Sequence, residues 1–339
     1  MRPLTLKRLL WTCAALAAIL LACIILALKL GAVPVSVVDL VVNLGRIAIG
    51  NSDQLPSDYR LIIFELRLPR ILLGVLVGAS LSVSGASFQA LLRNPLADPF
   101  VLGVSSGAAV GSLLALTIAP AFPLITPLGA FLGALATITT VYFLGRRDGQ
   151  LDSTTLLLGG IISASFLSAM IMFLVTTVTG RDLRGIVFWL MGDLSTPVPT
   201  GLRWVFTAGL FAGIGAIYTT APDLNLLLTG EREAIHLGVD VTRVKLVVYV
   251  SASLLTALAV SASGAIGYVG LLVPHAVRLV FGPDYRLLIP ASALCGAIAI
   301  VLADTLARTV AAPTELPVGA MTAMAGAPVF IYLLRRGMR

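Results

Sequence analysis

Apolar residues run along this chain in stretches of about 20, the length an α-helix needs to cross a bilayer core about 30 Å thick. Short clusters of charge, glycine and proline separate them. Reading from break to break predicts about ten such helices, beginning near Leu9, Arg70, Phe100, Leu124, Leu151, Leu202, Arg243, Tyr268, Leu287 and Leu316. The expected fold is an all-α membrane protein. No break is long enough for a soluble domain, so residues 1–339 read as one polytopic domain. Arg2, Lys7 and Arg8 before the first apolar stretch also resemble a signal peptide, whose apolar part is normally only about 7–15 residues. A retained first helix is therefore expected.

Charge sets the orientation. With the N-terminus inside, Arg146, Arg147, residues 232–245, Arg278, Arg286 and the tail arginines Arg335, Arg336 and Arg339 all fall on the cytoplasmic side, as the positive-inside rule requires. An even span count returns the C-terminus inside. Arg46, Arg60, Arg67, Arg70, Arg181, Arg184, Arg203 and Arg308 then face outward, against the same rule, and need a separate cause. Residues 34–50 and 181–194 read as amphipathic helices at the outer interface. Residues 222–241 form the largest polar cytoplasmic segment, a helix that must face water or another protein. Ser82-Val-Ser-Gly-Ala86 in the second helix recurs as Ser261-Ala-Ser-Gly-Ala265 in the seventh, which runs the opposite way. Helices 2–5 and 7–10 are thus expected to form an inverted repeat; such small residues also simply let helices approach closely.

Composition narrows the function classes. The chain is 58% hydrophobic and 12% charged, so its net charge of +7 reflects orientation rather than nucleic-acid binding. Cys13, Cys23 and Cys295 lie inside apolar stretches without paired spacing, which supports neither a disulfide framework nor a metal site. The three lysines, Lys7, Lys29 and Lys245, do not follow glycine, so the phosphate-cradling Gly-x-x-x-x-Gly-Lys-Ser/Thr loop is missing. His236 and His275 form no zinc-binding His-Glu-x-x-His helix, and no serine elbow occurs. Asp304 and Arg308 share a helix face at i, i+4 and read as a structural ion pair, although a buried acid can also mark an ion route. Asn94, Pro95 and Pro99 force a turn between the second and third helices, and Pro274 is expected to kink or break the eighth.

Several strings then converge. Arg67-Leu-Pro-Arg70, Ser84-Gly-Ala86 with Gln89, Asn94-Pro-Leu-Ala-Asp-Pro99, Leu102-Gly-Val-Ser-Ser-Gly-Ala108, Gly267-Tyr-Val-Gly-Leu271 with Pro274-His275, and Glu315-Leu-Pro-Val-Gly319 with Gly326-Ala-Pro328 resemble, in order and spacing, the permeases of bacterial ABC importers for iron–siderophores, haem and cobalamin, the FecCD type. The resemblance runs from about Arg67 to the C-terminus. It implies ten spans with both termini cytoplasmic, a homodimer, two ATP-binding cassette subunits, and a periplasmic or lipoprotein substrate-binding protein in the inner membrane system. It further implies docking of that binding protein on Arg67, Arg70 and Arg308, coupling to the ATPase through Glu231, Ala234, Leu237 and Gly238, and an inner gate at Asn94, Leu96, Ser153 and Thr154.

The expectation is therefore a non-enzymatic transport subunit without cofactor or metal. It moves a metal chelate by ATP-driven alternating access, with an iron chelate ahead of cobalamin on family frequency. Two other classes stay open: an ion-coupled secondary transporter, which would carry charged or unwound positions at mid-membrane, and an intramembrane enzyme, which would need a nucleophile and base there.

Overall fold

A backbone immersed in lipid must satisfy its own N–H and C=O groups, and helices do so within each segment. The computed structural model describes residues 4–31, 33, 35–36, 42–43, 56–118, 122, 124–147, 150–177, 182–196 and 198–337. Its elements are α1 (Leu6–Lys29), α2 (Leu68–Leu91), α3 (Val104–Ile118), α4 (Ile125–Leu144), α5 (Ser153–Thr177), α6 (Asp182–Leu190), α7 (Thr200–Thr219), α8 (Ala221–Leu227), α9 (Glu231–His236), α10 (Val241–Ser263), α11 (Val269–Phe281), α12 (Tyr285–Thr309) and α13 (Val318–Gly337). A two-residue antiparallel ribbon, Arg146–Arg147 with Gln150–Leu151, joins α4 to α5. Among the described residues, seven helices have spanning length and composition: α1, α2 with its lead-in, α4, α5, α7, α10 and α12. Three shorter apolar helices, α3, α11 and Val318–Tyr332 of α13, complete the expected ten.

The short helices begin inside the bundle instead of at its surface. Asp98 accepts from the Phe100 N–H at 2.8 Å and starts a 3₁₀ turn, Pro99–Leu102, that ends at Gly103 with φ +75°. A Cβ on Gly160 of α5 would lie 2.7 Å from Leu102 Cα, and one on Gly270 of α11 would lie 2.9 Å from the Pro99 ring. Only glycine lets backbone and ring approach so closely.

The expected inverted repeat is visible in the packing. α2 and α10 lie against each other at the centre, joined by Ser84 Oγ and Thr256 Oγ1 at 2.6 Å and by the edge-on rings of Phe88 and Tyr249. Around them, α2 packs on α12 as α10 packs on α4, α2 on α11 as α10 on α3, and α3 on α4 as α11 on α12. α5 and α13 stand on the flanks, each against the equivalent neighbours, while α1 and α7 lie outside the repeat.

Two local expectations change. Pro274 does not break the eighth helix, since α11 continues from Val269 to Phe281. The Gly270 carbonyl, which loses its N–H partner because proline has none, instead faces Gly85, and Gln89 Nε2 donates to Leu271 O at 3.1 Å. Residues 222–241 are not one polar helix: α8 and α9 are separate, with Gly230 at φ +139° between them. The segment 181–194 carries α6 as expected, with Arg181 outside the described residues, as are Arg46 and most of 34–50.

Candidate functional site

The chain's chemistry sits at the two ends of the bundle, named outer and inner from the charge topology. At the outer end, Pro69 cannot donate to the carbonyl four residues back, and the helix accommodates this with a π-helical stretch, Leu61–Arg67, in which the Leu68 N–H reaches Ile63 O. Arg67 donates from Nη1 to Leu28 O at 2.6 Å and from Nη2 to Val33 O. Through Leu28 O it serves one of the last carbonyls of α1, which have no partner within their own helix. Arg70 turns elsewhere, with Nε 2.9 Å from Asp304 Oδ1 and Nη1 2.7 Å from Glu315 Oε2. Arg308 Nε lies 3.0 Å from Asp304 Oδ2, so the ion pair anticipated within α12 is present and extends to α2.

Sequence reasoning placed these three guanidinium groups outward and free to dock. Arg67 and Arg308 are each only 6% exposed, and their partners lie within the chain. The reason is tertiary: α1 and α12 close over the start of α2, so these three arginines form internal caps and ion pairs. Glu315, with its side chain 47% exposed, is the open edge of the cluster. Beside it a cavity of about 630 Å³ opens between α3, α6 and the end of α10. Its lining includes Trp189, Asp193, Ser195, Thr196 and Ser261, and Asp193 holds Ser195 Oγ at 2.7 Å.

At the inner end, α9 is terminated by a Schellman arrangement: Val239 N donates to Ala234 O at 3.0 Å and Gly238 N to Ile235 O at 2.9 Å, with Gly238 at φ +88°. Ala234 is fully buried and seats the helix, while Ile235 and Leu237 are 57% and 63% exposed. This apolar edge lies between Arg232, Glu233 and His236. A Cβ on Gly238 meets nothing within 4 Å, so Gly238→Ala isolates the backbone strain. It is expected to loosen the end of α9 by about 1 kcal/mol, read as faster amide exchange across residues 231–239 with the rest of the protein unchanged.

The four gate positions gather at the inner end of α2. Asn94 N donates to Gln89 O at 3.2 Å, its Oδ1 accepts from Leu96 N at 2.9 Å, and Leu96 is 40% exposed. Ser153 Oγ donates to Leu91 O at 3.0 Å, and Asp152 Oδ1 caps α5 through Thr155 N at 2.8 Å. Thr154 follows at the exposed edge. Nearby, Asp284 caps α12 and bonds Asn225 Nδ2 at 2.8 Å; hydrogen bonds from Arg286 and Asn225 hold its carboxyl below the usual carboxylate range.

Two side chains at this end escaped the sequence reading. Lys245, on the first turns of α10, is 8% exposed and pairs with Glu231 at 2.8 Å. Arg93, at φ +49°, reaches Leu227 O of α8 at 3.3 Å. The signal for Lys245 lies in the sequence, as a lone lysine leading into an apolar helix, but its partners are far away in the chain.

A family model, the FecCD transport family, matches residues 19–336. The chain belongs to this family. This FecCD permease is 44% identical over 284 residues to the cobalamin import system permease protein BtuC of Halobacterium salinarum, covering 83% of this chain and 75% of that one. It is 38% identical over 291 residues to the vitamin B12 import system permease protein BtuC of Salmonella arizonae, covering 86% and 88%. Its fold matches a solved structure described as an inward-facing metal-chelate type ABC transporter, with a TM-score of 0.81, 31% identity, and 96% of this chain and 99% of that one covered. The FecCD permease is thus a multi-pass membrane protein and a transport subunit.

Proposed function

We propose that this FecCD permease works as a homodimer in the bacterial inner membrane, with two ATP-binding cassette subunits beneath it and a periplasmic or lipoprotein substrate-binding protein above. The cargo is a metal chelate that passes between the two copies by alternating access. The observation that carries this reading is the inner end: a rigidly capped α9 presents Ile235 and Leu237 outward, on a chain whose sequence holds no phosphate-cradling loop. A helix closed at its C-terminus in this way moves as a body and transmits a push without losing its own hydrogen bonds.

The outer cavity beside Glu315 is the place where cargo leaves the binding protein. Arg70 is the docking arginine to test. Arg67 and Arg308 act beneath it, because reversing their charge would unfold the cluster before it reported on docking. Arg70→Lys, which keeps a cation beside Asp304, is expected to weaken binding-protein affinity about tenfold at low salt by removing the planar two-donor fork. Unchanged affinity, measured by surface binding on reconstituted nanodiscs, rejects that role.

Cobalamin comes ahead of the iron chelate that family frequency favours, because the relatives at 44% and 38% identity are named as cobalamin permeases. A binding assay of the cognate binding protein with cobalamin and with a ferric siderophore separates the two. The importer reading itself is tested in proteoliposomes. Uptake is expected only with the ATPase subunits and ATP, and uptake driven by an ion gradient alone overturns it. Pairing of the buried ionisable groups Arg67, Lys245, Asp304 and Arg308 with internal partners also supports an ATP-driven over an ion-coupled mechanism.

A further inference from the structure

Lys245 joins two separate parts of the inner end, α9 and the base of α5. Its Nζ lies 2.8 Å from Glu231 Oε1, on the first residue of α9, and donates at 3.2 Å to Leu151 O, the carbonyl just before the base of α5. Leu151 is buried and fixed in the ribbon opposite Arg146, and Asp152 N donates to Gly145 O at 3.0 Å. Two residues on, Ser153 Oγ holds the C-terminal carbonyl of α2. The ammonium therefore bridges the helix with the exposed apolar edge and the base of the helix that carries Ser153 and Thr154.

We propose that Lys245 is the positioning residue that transmits movement of α9 to the inner gate. This rests on the importer reading and deepens it. An ammonium is a point charge with three donors on a flexible stem, so it can hold a carboxylate on one element and a carbonyl on another at once. The lysine side chain is 10% exposed and that of Glu231 34%, so α9 moves with its ion pair or leaves a largely buried ammonium without its carboxylate. Arg93 to Leu227 O braces α8 against α2 on the other side of the same junction, so displacement of the α8–α9 pair reaches both α2 and α5. The gap enclosed by Leu91, Arg93, Leu227, Glu231 and Lys245 holds only about 10 Å³, too little to absorb the motion by local collapse.

The test uses the full transporter in proteoliposomes and reads cargo moved per ATP hydrolysed. Lys245→Met is expected to lower that ratio about tenfold, inside the roughly 5–150-fold that site-to-site coupling supports. Lys245→Arg, which keeps charge and donors, holds it within about twofold of the starting protein on the same scale. The exchange Glu231→Lys with Lys245→Glu distinguishes transmission from mere support. It restores an ion pair, and with it thermal stability, but places no donor on Leu151 O, so the ratio stays low.

Full recovery of the ratio in the exchanged protein, or a wild-type ratio in Lys245→Met, overturns the proposal. Should both variants fail to assemble, spin labels at Arg232→Cys and Thr154→Cys in the otherwise unchanged protein give the answer. Their separation is expected to hold while nucleotide binds, and a separation that shifts beyond the width of its own distribution rejects the link. If the unaltered complex fails to couple ATP to uptake, the importer reading fails; if it couples and Lys245→Met couples equally, only the relay does.

Discussion

Gly85→Val is expected to leave no correctly assembled permease. Gly85 sits on α2 where a Cβ would overlap the Gly270 carbonyl oxygen and lie 2.8 Å from Gly270 Cα. Every atom in the way belongs to backbone, so no rotamer change relieves the overlap, and the helices must part. Parting them strains what lies on either side: Gln89 Nε2 on Leu271 O, and the Ser84 hydroxyl wedged against Thr256 and Ala252 of α10. α2 belongs to the first half of the repeat and α11 to the second, so the strain reaches both halves. Overpacking a core normally costs about 1–3 kcal/mol, and an obstruction of pure backbone lies at or above the top of that range. Gly201→Val and Gly215→Ala, where an added Cβ meets nothing within 4 Å, serve as controls and are expected to behave as the parent. Yield of monodisperse protein and its thermal midpoint in detergent check the comparison; a monodisperse Gly85→Val with the parent's midpoint contradicts it.

Asp304→Asn is expected to be almost as damaging, for an electrostatic reason. The carboxylate lies between Arg70 and Arg308, its oxygens 2.9 Å and 3.0 Å from their Nε atoms, in a side chain 3% exposed. The amide is nearly isosteric, so packing is retained while two buried cations lose their shared anion, leaving Glu315 alone to face them. Removing one partner of a buried ion pair costs about 3–5 kcal/mol, whereas replacing the whole pair with apolar residues is often neutral. Asp304→Leu combined with Arg308→Met is therefore expected to recover most of the loss, because Arg70 keeps Glu315 at 2.7 Å. Denaturation midpoints of the single and double variants decide between this and a purely steric account. Equal losses in both would show that the charge balance is immaterial.

Hydrophobic length makes the spans legible in the chain itself, and the breaks between them locate all ten helices that carry the fold. The repeated Ser-x-Ser-Gly-Ala strings point to the inverted repeat because small residues mark places where backbones meet, and Gly85 is one of them. Pro274 does not end its helix, because α2 lies against the freed Gly270 carbonyl and Gln89 bonds the carbonyl of Leu271. The partners of the arginines are not legible for a related reason: Arg67 has its partner carbonyl 39 residues earlier and Arg70 has its carboxylate 234 residues later.

By itself the sequence determined the lipid solvent, the number, order and direction of the helices, and membership of the family. These depend on local runs of side chains and on short strings that keep their spacing. Only the tertiary structure decided what the charges do: that Arg67 caps α1, that Asp304 balances two arginines, and that Lys245 binds α9 to the foot of α5. A charged group inside a bundle is defined by which distant helix end lies within about 3 Å of it, and that proximity is set by helix packing, which no single stretch of chain contains.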